Sequence, residues 1–213
     1  PEPPGVIVEN QNANVLAPKV ALVEPLAWIK NRPVMFLRDH FGGEVPLSCP
    51  YPPLELAYTA ALLRQANIPV AILAANVQRM THQEVVRWLM SRKPEWLLIP
   101  SAWGSIHSDL ELLRLIREAL PKTKCVVCGP NVTADPSLVL AGGEADFVIC
   151  GEPEEAMLHL ARGDAPESVN NLAWWDGSVQ STTRQLPSDW HAYPLPARDL
   201  LDLKQYKLPF SMH

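Results

Sequence analysis

The groups with the clearest chemical potential sit in three short stretches. Residues 124–134 read KCVVCGPNVTA, with Cys125 and Cys128 bracketing two valines ahead of Gly129-Pro130-Asn131. Residues 150–155 read CGEPEE, which gathers Glu152, Glu154 and Glu155 behind Gly151. Residues 99–107 read IPSAWGSIH, with Ser101 and His107 close in sequence. A Cys-x-x-Cys pair could bind zinc, clustered carboxylates could move protons, and a serine near a histidine could be a nucleophile.

None of the three meets its own requirements. Residues three apart in a strand point to opposite faces, and a zinc site would need two more ligands at a recognisable spacing. Cys125 and Cys128 therefore read as buried thiols. The glutamates suit the first turn of a helix, where the macrodipole favours negative charge. Ser101 lacks a G-x-S-x-G setting and reads as a polar residue approaching a helix. His40, His82, His107, His159 and His191 form no local cluster and read as surface or capping residues. No catalytic residue and no protein ligand to a metal is expected.

Phosphate chemistry is disfavoured too. No G-x-x-x-x-G-K-[ST] occurs and no G-x-G-x-x-G follows a strand. A phospho-receiver would want an Asp ending the third strand, which here ends IPSAW.

The elements that must position these residues alternate regularly. KVALVEP (19–25) reads as a strand, followed by a long connection over 26–53 that suggests a functional loop. Helices are predicted over 54–66, with Leu54, Ala57, Ala61 and Leu62 near one face, and over 81–93, where Thr81 and Glu84 form a capping box. Further helices follow SAWGS, cover roughly 134–141, and begin at Pro153. Between them PVAILAA, EWLLIP, KCVVCG and ADFVIC read as strands. Continuously apolar strands alternating with helices predict an α/β fold, a flavodoxin-like (Rossmann-type), doubly wound, five-stranded parallel sheet. After Arg162 the pattern changes to a β-hairpin around Asp176-Gly177 and a Pro-rich extended linker. The organisation expected is an extended lead-in over 1–18, an α/β domain over 19–163, and the hairpin and linker over 164–213.

In such sheets ligands sit beyond the carboxyl ends of the strands. The rim there is small and uncharged: Ser101, Ala102, Gly104, Gly129, Pro130, Asn131 and Gly151, with Trp103 as an aromatic wall. Bare backbone allows a large flat ligand or a long buried tail to approach closely, which describes a cofactor cradle.

Composition sets the outer bounds. The 213 residues are 47% apolar, enough for a full core, and carry a net charge of −5. Interspersed charge argues against nucleic acid, and no apolar run has the length of a membrane span. Cys49, Cys125, Cys128 and Cys150 lie in apolar contexts without disulfide-framework spacing, so reduced thiols and a cytoplasmic location are expected. The chain starts at Pro1 and stops at LPFSMH, so a piece of something longer is expected.

Four stretches taken together resemble a known family: YPPLELAYTAALLRQANIPVAIL, KPEWLLIPSAW, CVVCGPNVTADPSLVL and ADFVICGEPEEAMLHL. They look like the cobalamin-binding domain that precedes the catalytic barrel of cobalamin-dependent radical SAM enzymes. The likeness runs over about residues 19–207, including YPLPARDLLDLKQY, which resembles that family's connector to the barrel. It implies that Gly129-Pro130-Asn131 and the adjoining Cys128 line the groove of the corrinoid's nucleotide tail, flanked by Ser101, Ala102, Trp103 and Gly104. The long loop 26–53 and the start of the following helix would face the lower side of the corrin, with Pro25, Leu26, Tyr51 and Leu54 among the residues there, and Gly151 and Glu152 would complete the rim.

The D-x-H-x-x-G motif that supplies a histidine to cobalt in the methionine-synthase-like class is missing, since 51–58 read YPPLELAY, so no histidine is expected on cobalt, as is usual for the radical SAM group. An open or water-filled lower position under Tyr51 or Leu54 is expected instead. The C-x-x-x-C-x-x-C signature is also absent, so S-adenosylmethionine and a 4Fe-4S cluster would belong to a radical SAM barrel outside this chain. A methyltransferase or cyclase-type parent is implied. Two other readings share the fold: a stand-alone corrinoid carrier or sensor, and a protein-interaction scaffold without the cofactor. A flavin-binding module ranks last, for want of a hydroxyl-rich loop after the first strand.

Overall fold

The computed structural model describes residues 17–36, 44–45, 50–187 and 189–206. Most of the lead-in, the segments carrying His40 and Cys49, and the LPFSMH end lie outside the described residues.

The central strands are β1 (Val20–Glu24), β5 (Val70–Ala74), β6 (Trp96–Pro100), β7 (Lys124–Cys128) and β8 (Phe147–Ile149). They are parallel and lie side by side in the order β5-β1-β6-β7-β8, the flavodoxin-like order. Among the described residues the sheet has seven strands rather than five. β9 (Leu172–Trp175) pairs antiparallel to β8, and β10 (Val179–Ser181) pairs with β9. The predicted hairpin thus extends the main sheet instead of standing apart from it. Only then does Trp175 reach solvent, while Trp174 is half-buried.

Each strand feeds both faces. Ala21, Val23, Leu97, Ile99, Cys125 and Val127 face α2 (His82–Arg92), α3 (Ile106–Ala119) and the short α4 (Pro130–Ala134) and α5 (Ser137–Leu140). Val20, Leu22, Leu98, Val126 and Cys128 face α1 (Leu54–Gln65) and α6 (Glu154–Arg162). Burial on two faces is why the strands are apolar throughout. Cys125 and Cys128 fall on opposite faces, as their spacing predicts, and burial pushes the Cys125 thiol up to about 12. The capping box is present too: Glu84 N–H donates to Thr81 Oγ1, and Thr81 N–H donates to Glu84 Oε2.

Two predictions need correction. The helix α1 is buried well beyond one face, through Leu56, Ala57, Thr59, Ala60, Ala61, Leu62 and Leu63, whereas Leu54 is exposed. The helix packs against α6 as well as the sheet, and a segment far along the chain covers it further. The linker after β10 crosses the outer side of α1, where Ala197 N–H donates to the Ala57 carbonyl and Leu201 packs on Ala57. Arg64 holds Asp199 at 2.7 Å.

The second correction concerns the long connection. It contains a small antiparallel sheet, β2 (Ala27–Ile29), β3 (Arg32–Phe36) and β4 (Glu44–Val45). Lys30 and Asn31 both have positive φ, 49° and 61°, as a tight two-residue hairpin turn requires. The hairpin is fastened beside the strand ends. Trp28 N–H donates to Ser108 Oγ at 2.8 Å, and Trp28 Nε1–H donates to the Met80 carbonyl. His82, expected at the surface, is buried with its Nε2 3.1 Å from the same Ser108 Oγ. Among the described residues no helix is long and apolar enough to cross a membrane.

Ser108 is thus the joint between the hairpin and the helical layer. Ser108→Ala should cost about 1–3 kcal/mol of stability, because Trp28 N–H and the His82 ring nitrogen both lose this partner. It should also speed amide exchange over 27–36 while leaving β7 and β8 protected, as hydrogen-exchange mass spectrometry would read.

Candidate functional site

The carboxyl ends of β6 and β7 meet closely. Ser101 N–H donates to the Cys128 carbonyl at 2.8 Å. Gly129 follows with φ +122°, a conformation side chains rarely adopt, and a Cβ there would overlap the Ser101 carbonyl oxygen. The bare backbone at 129 is therefore required by the protein itself: what comes close to it is the neighbouring strand end.

That approach brings a buried polar chain together. Ser101, Ser105, Asp109 and Asn131 are all fully or almost fully buried. Ser101 Oγ–H donates to Asp109 Oδ2 at 2.7 Å, and Ser105 Oγ–H donates to the same oxygen at 2.6 Å. Asn131 Nδ2–H donates to Ser101 Oγ at 3.0 Å. The remaining polar atom, Asn131 Oδ1, is buried and meets no donor among the described residues. Asp109 is invisible to a reading of strand ends, yet its spacing from Ser105, four residues along a helix, is the signal that pairs them.

The other rim residues divide into buried and open groups. Ala102 is buried against Phe36 and Ala27. Gly104 lies under Phe36, whose ring fills the space a Cβ would need. Trp103 is 58% exposed, Tyr51 45% and Leu54 42%, which leaves three apolar side chains facing outward on this edge. Gly151, φ +120°, has open space where a Cβ would stand, and Glu152 beside it is exposed. Gly129 and Pro130 are half-buried, whereas Cys128, Pro25 and Leu26 are buried in the fold. The contacts joining Ser101, Gly129 and Asn131 do not extend to Pro25, Leu26, Tyr51 or Leu54, which share only the same edge.

The glutamate cluster differs from its sequence reading. Glu154 does open α6, but its side chain is buried. Burial pushes its carboxyl up to about 7, opposed by a hydrogen bond from its own backbone and aided by the charges of Glu152 and Glu155. Desolvation outweighs the helix dipole here. The linker's Tyr193 lies against this turn, and burial followed by the charges of Glu155 and Glu154 raises its phenol. A second linker contact reaches the site from the other side: Arg184 donates to the Thr133 carbonyl at 2.7 Å and to Cys150.

A largely uncharged, backbone-lined stretch around Ser101, Gly129 and Asn131, with Asn131 Oδ1 as a buried acceptor that meets no donor among the described residues, suits a large ligand rich in amides. Among the described residues no three His, Cys, Asp or Glu side chains gather to hold a metal ion.

Comparison with known proteins agrees with that chemistry. Residues 47–161 match the B12 binding domain family, a span longer than half of the 213-residue chain. The chain belongs to the B12-binding domain family. Cobalamin is accordingly the cofactor of this domain. No curated protein matches the sequence. Among solved structures, the cobalamin-dependent S-adenosylmethionine radical enzyme OxsB with aqua-cobalamin and S-adenosylmethionine bound superposes with a TM-score of 0.69 at 16% identity. The radical S-adenosylmethionine methyltransferase TsrM from Kitasatospora setae, with cobalamin and a [4Fe-4S] cluster bound, superposes at 0.58 with 13% identity. These likenesses are of fold. They cover 87% and 84% of this chain but 25% and 31% of those chains, so this B12-binding domain spans less than a third of either relative.

Two outcomes test the geometry of this strand-end edge. Gly129→Ala should destabilise the domain by at least about 2 kcal/mol, from combined backbone strain and overlap, measured by denaturant unfolding. Glu154 makes a pH prediction. An acid whose folded pKa is raised loses stability as it ionises, beginning above the ordinary 4.5 and ending above about 7. Glu154→Gln should remove that decline and raise stability at pH 8 by about 1–3 kcal/mol, with the wild type and variant converging below pH 5.

Proposed function

We propose that the chain is the corrinoid-binding module of a cobalamin-dependent radical SAM enzyme, probed most directly through the β6–β7 strand-end crevice. One observation carries the reading. In a chain of the B12-binding family, the Gly129 turn packs tightly on Ser101, and beside it Asn131 Oδ1 is a buried acceptor without a donor among the described residues. Cobalamin, when bound, supplies a corrin-held cobalt that can carry a methyl group. The chain's own residues bind and orient it. The segment Ser101–Gly104 and the turn from Cys128 to Asn131 flank the nucleotide tail. Gly151 and Glu152 would close the rim, and Tyr51 and Leu54, with Pro25 and Leu26 buried on the same edge, would lie toward the corrin. The D-x-H-x-x-G pattern is missing from 51–58, in keeping with a lower position without imidazole; His40, in the connection before it, lies outside the described residues.

The parent reaction, methyl transfer or oxidative cyclisation, and the radical SAM barrel as partner come from likeness in fold and sequence pattern. On this reading 19–163 is the cofactor domain and 164–213 leads toward the barrel, which would bring S-adenosylmethionine and the iron–sulfur cluster. The free, buried thiols of Cys125 and Cys150 favour a reducing, cytoplasmic setting.

The test is an absorption spectrum after incubation with hydroxocobalamin and desalting. The expected result is close to one corrinoid retained per chain, with a base-off spectrum. Folded protein that retains none would overturn the proposal, and an imidazole-ligated spectrum would overturn the assignment of the lower face.

A further inference from the structure

Serine has one proton to donate, and at Ser101 it is committed. Its Oγ–H goes to Asp109 Oδ2 at 2.7 Å, so the oxygen acts as an acceptor toward Asn131 Nδ2 at 3.0 Å. The Asn131 amide is therefore locked in one orientation. Turned over, its carbonyl oxygen would oppose an oxygen without a proton to give. The locked orientation points the remaining group, Oδ1, away from Ser101 as a buried acceptor that no protein donor reaches among the described residues. Buried amide oxygens are almost always paired, and leaving one without a donor is unfavourable. The position is also significant. Asn131 follows Gly129, the residue whose conformation and missing side chain allow β6 and β7 to close on each other.

We infer that Asn131 Oδ1 receives a neutral hydrogen-bond donor of the corrinoid, and that Ser101 and Asp109 are positioning residues that hold the amide for it. The inference rests on the proposed function. It makes Ser101 a support for the contact rather than the contact itself. Cobalamin offers donors of the right class, carboxamide N–H groups around the corrin and amide or hydroxyl groups along the nucleotide tail. A deprotonated or purely accepting group would be rejected at this point.

The experiment compares wild type, Asn131→Leu and Ser101→Ala by titration with cobalamin and, separately, with cobinamide, which keeps the corrin carboxamides and lacks the nucleotide tail. Circular dichroism melts of each protein without ligand run alongside. Asn131→Leu should weaken cobalamin about tenfold, the worth of one hydrogen bond, and shrink the ligand-induced rise in melting temperature. Its ligand-free melting temperature should change little, because the orphaned acceptor is removed with the amide. Ser101→Ala, which frees the amide to turn, should weaken binding about threefold and serves if the leucine variant fails to fold. Loss toward both ligands assigns the donor to the corrin carboxamides; loss toward cobalamin alone assigns it to the tail. Wild-type affinity in both folded variants would overturn the inference and leave the proposed function standing. Failure of the wild type to bind either ligand would overturn both.

Discussion

The close approach of two strand ends governs everything built at this edge. Parallel strands β6 and β7 run in register to Pro100 and Cys128, and the next peptide on each side still pairs through Ser101 N–H and the Cys128 carbonyl. There the Ser101 carbonyl takes the room that a side chain at 129 would need. A glycine at 129 is the consequence, and so is the burial of Ser101 and Asn131, which cannot be placed side by side without sharing hydrogen bonds. The polar chain from Asp109 to Asn131 thus follows from a steric constraint on backbone. The same constraint fixes where this edge presents amide rather than apolar surface.

Desolvation is the second organising effect, and it competes with more familiar local rules. A glutamate in the first turn of a helix is ordinarily favoured as an anion. Glu154 occupies that position and is nevertheless shifted toward its protonated form because the linker and the sheet remove it from water. Tyr193 contributes a raised phenol to the same turn. The linker is therefore part of the site's electrostatics as well as a cover for α1. Tyr206 near its end lies close enough to Glu24, at the end of β1, for that carboxylate to raise its phenol after burial does.

Most of the architecture was legible because local pattern and global fold agree. Apolar runs bounded by turn residues gave β1, β5, β6, β7 and β8, and the Cys125/Cys128 spacing correctly sent the two thiols to opposite faces. What was not legible depended on distant segments. The wide burial of α1 comes from α6 and from residues 197–201, both about a hundred or more positions away, so a one-face stripe with Leu54 in it was the wrong expectation. His82 is buried by Ser108 and the hairpin across it, contacts that no local spacing announces. The β2–β3 hairpin had a signal, Lys30-Asn31 between short alternating runs, masked by the Pro and Gly content of the longer connection. At the site, the glycine turn was visible in the sequence, but its partner was not. Only the folded sheet shows that Ser101 stands against it.

Family membership and the strand-end geometry converge on one claim: the corrinoid is held along the carboxyl edge of β6, β7 and β8. Hydrogen-exchange mass spectrometry of the protein with and without cobalamin tests it most directly. Protection gained at 101–105, 129–134 and 151–154, with α2 and the outer surface of α3 unchanged, is the predicted footprint. Protection confined to another face of the sheet, in protein that demonstrably binds the cofactor, would contradict it.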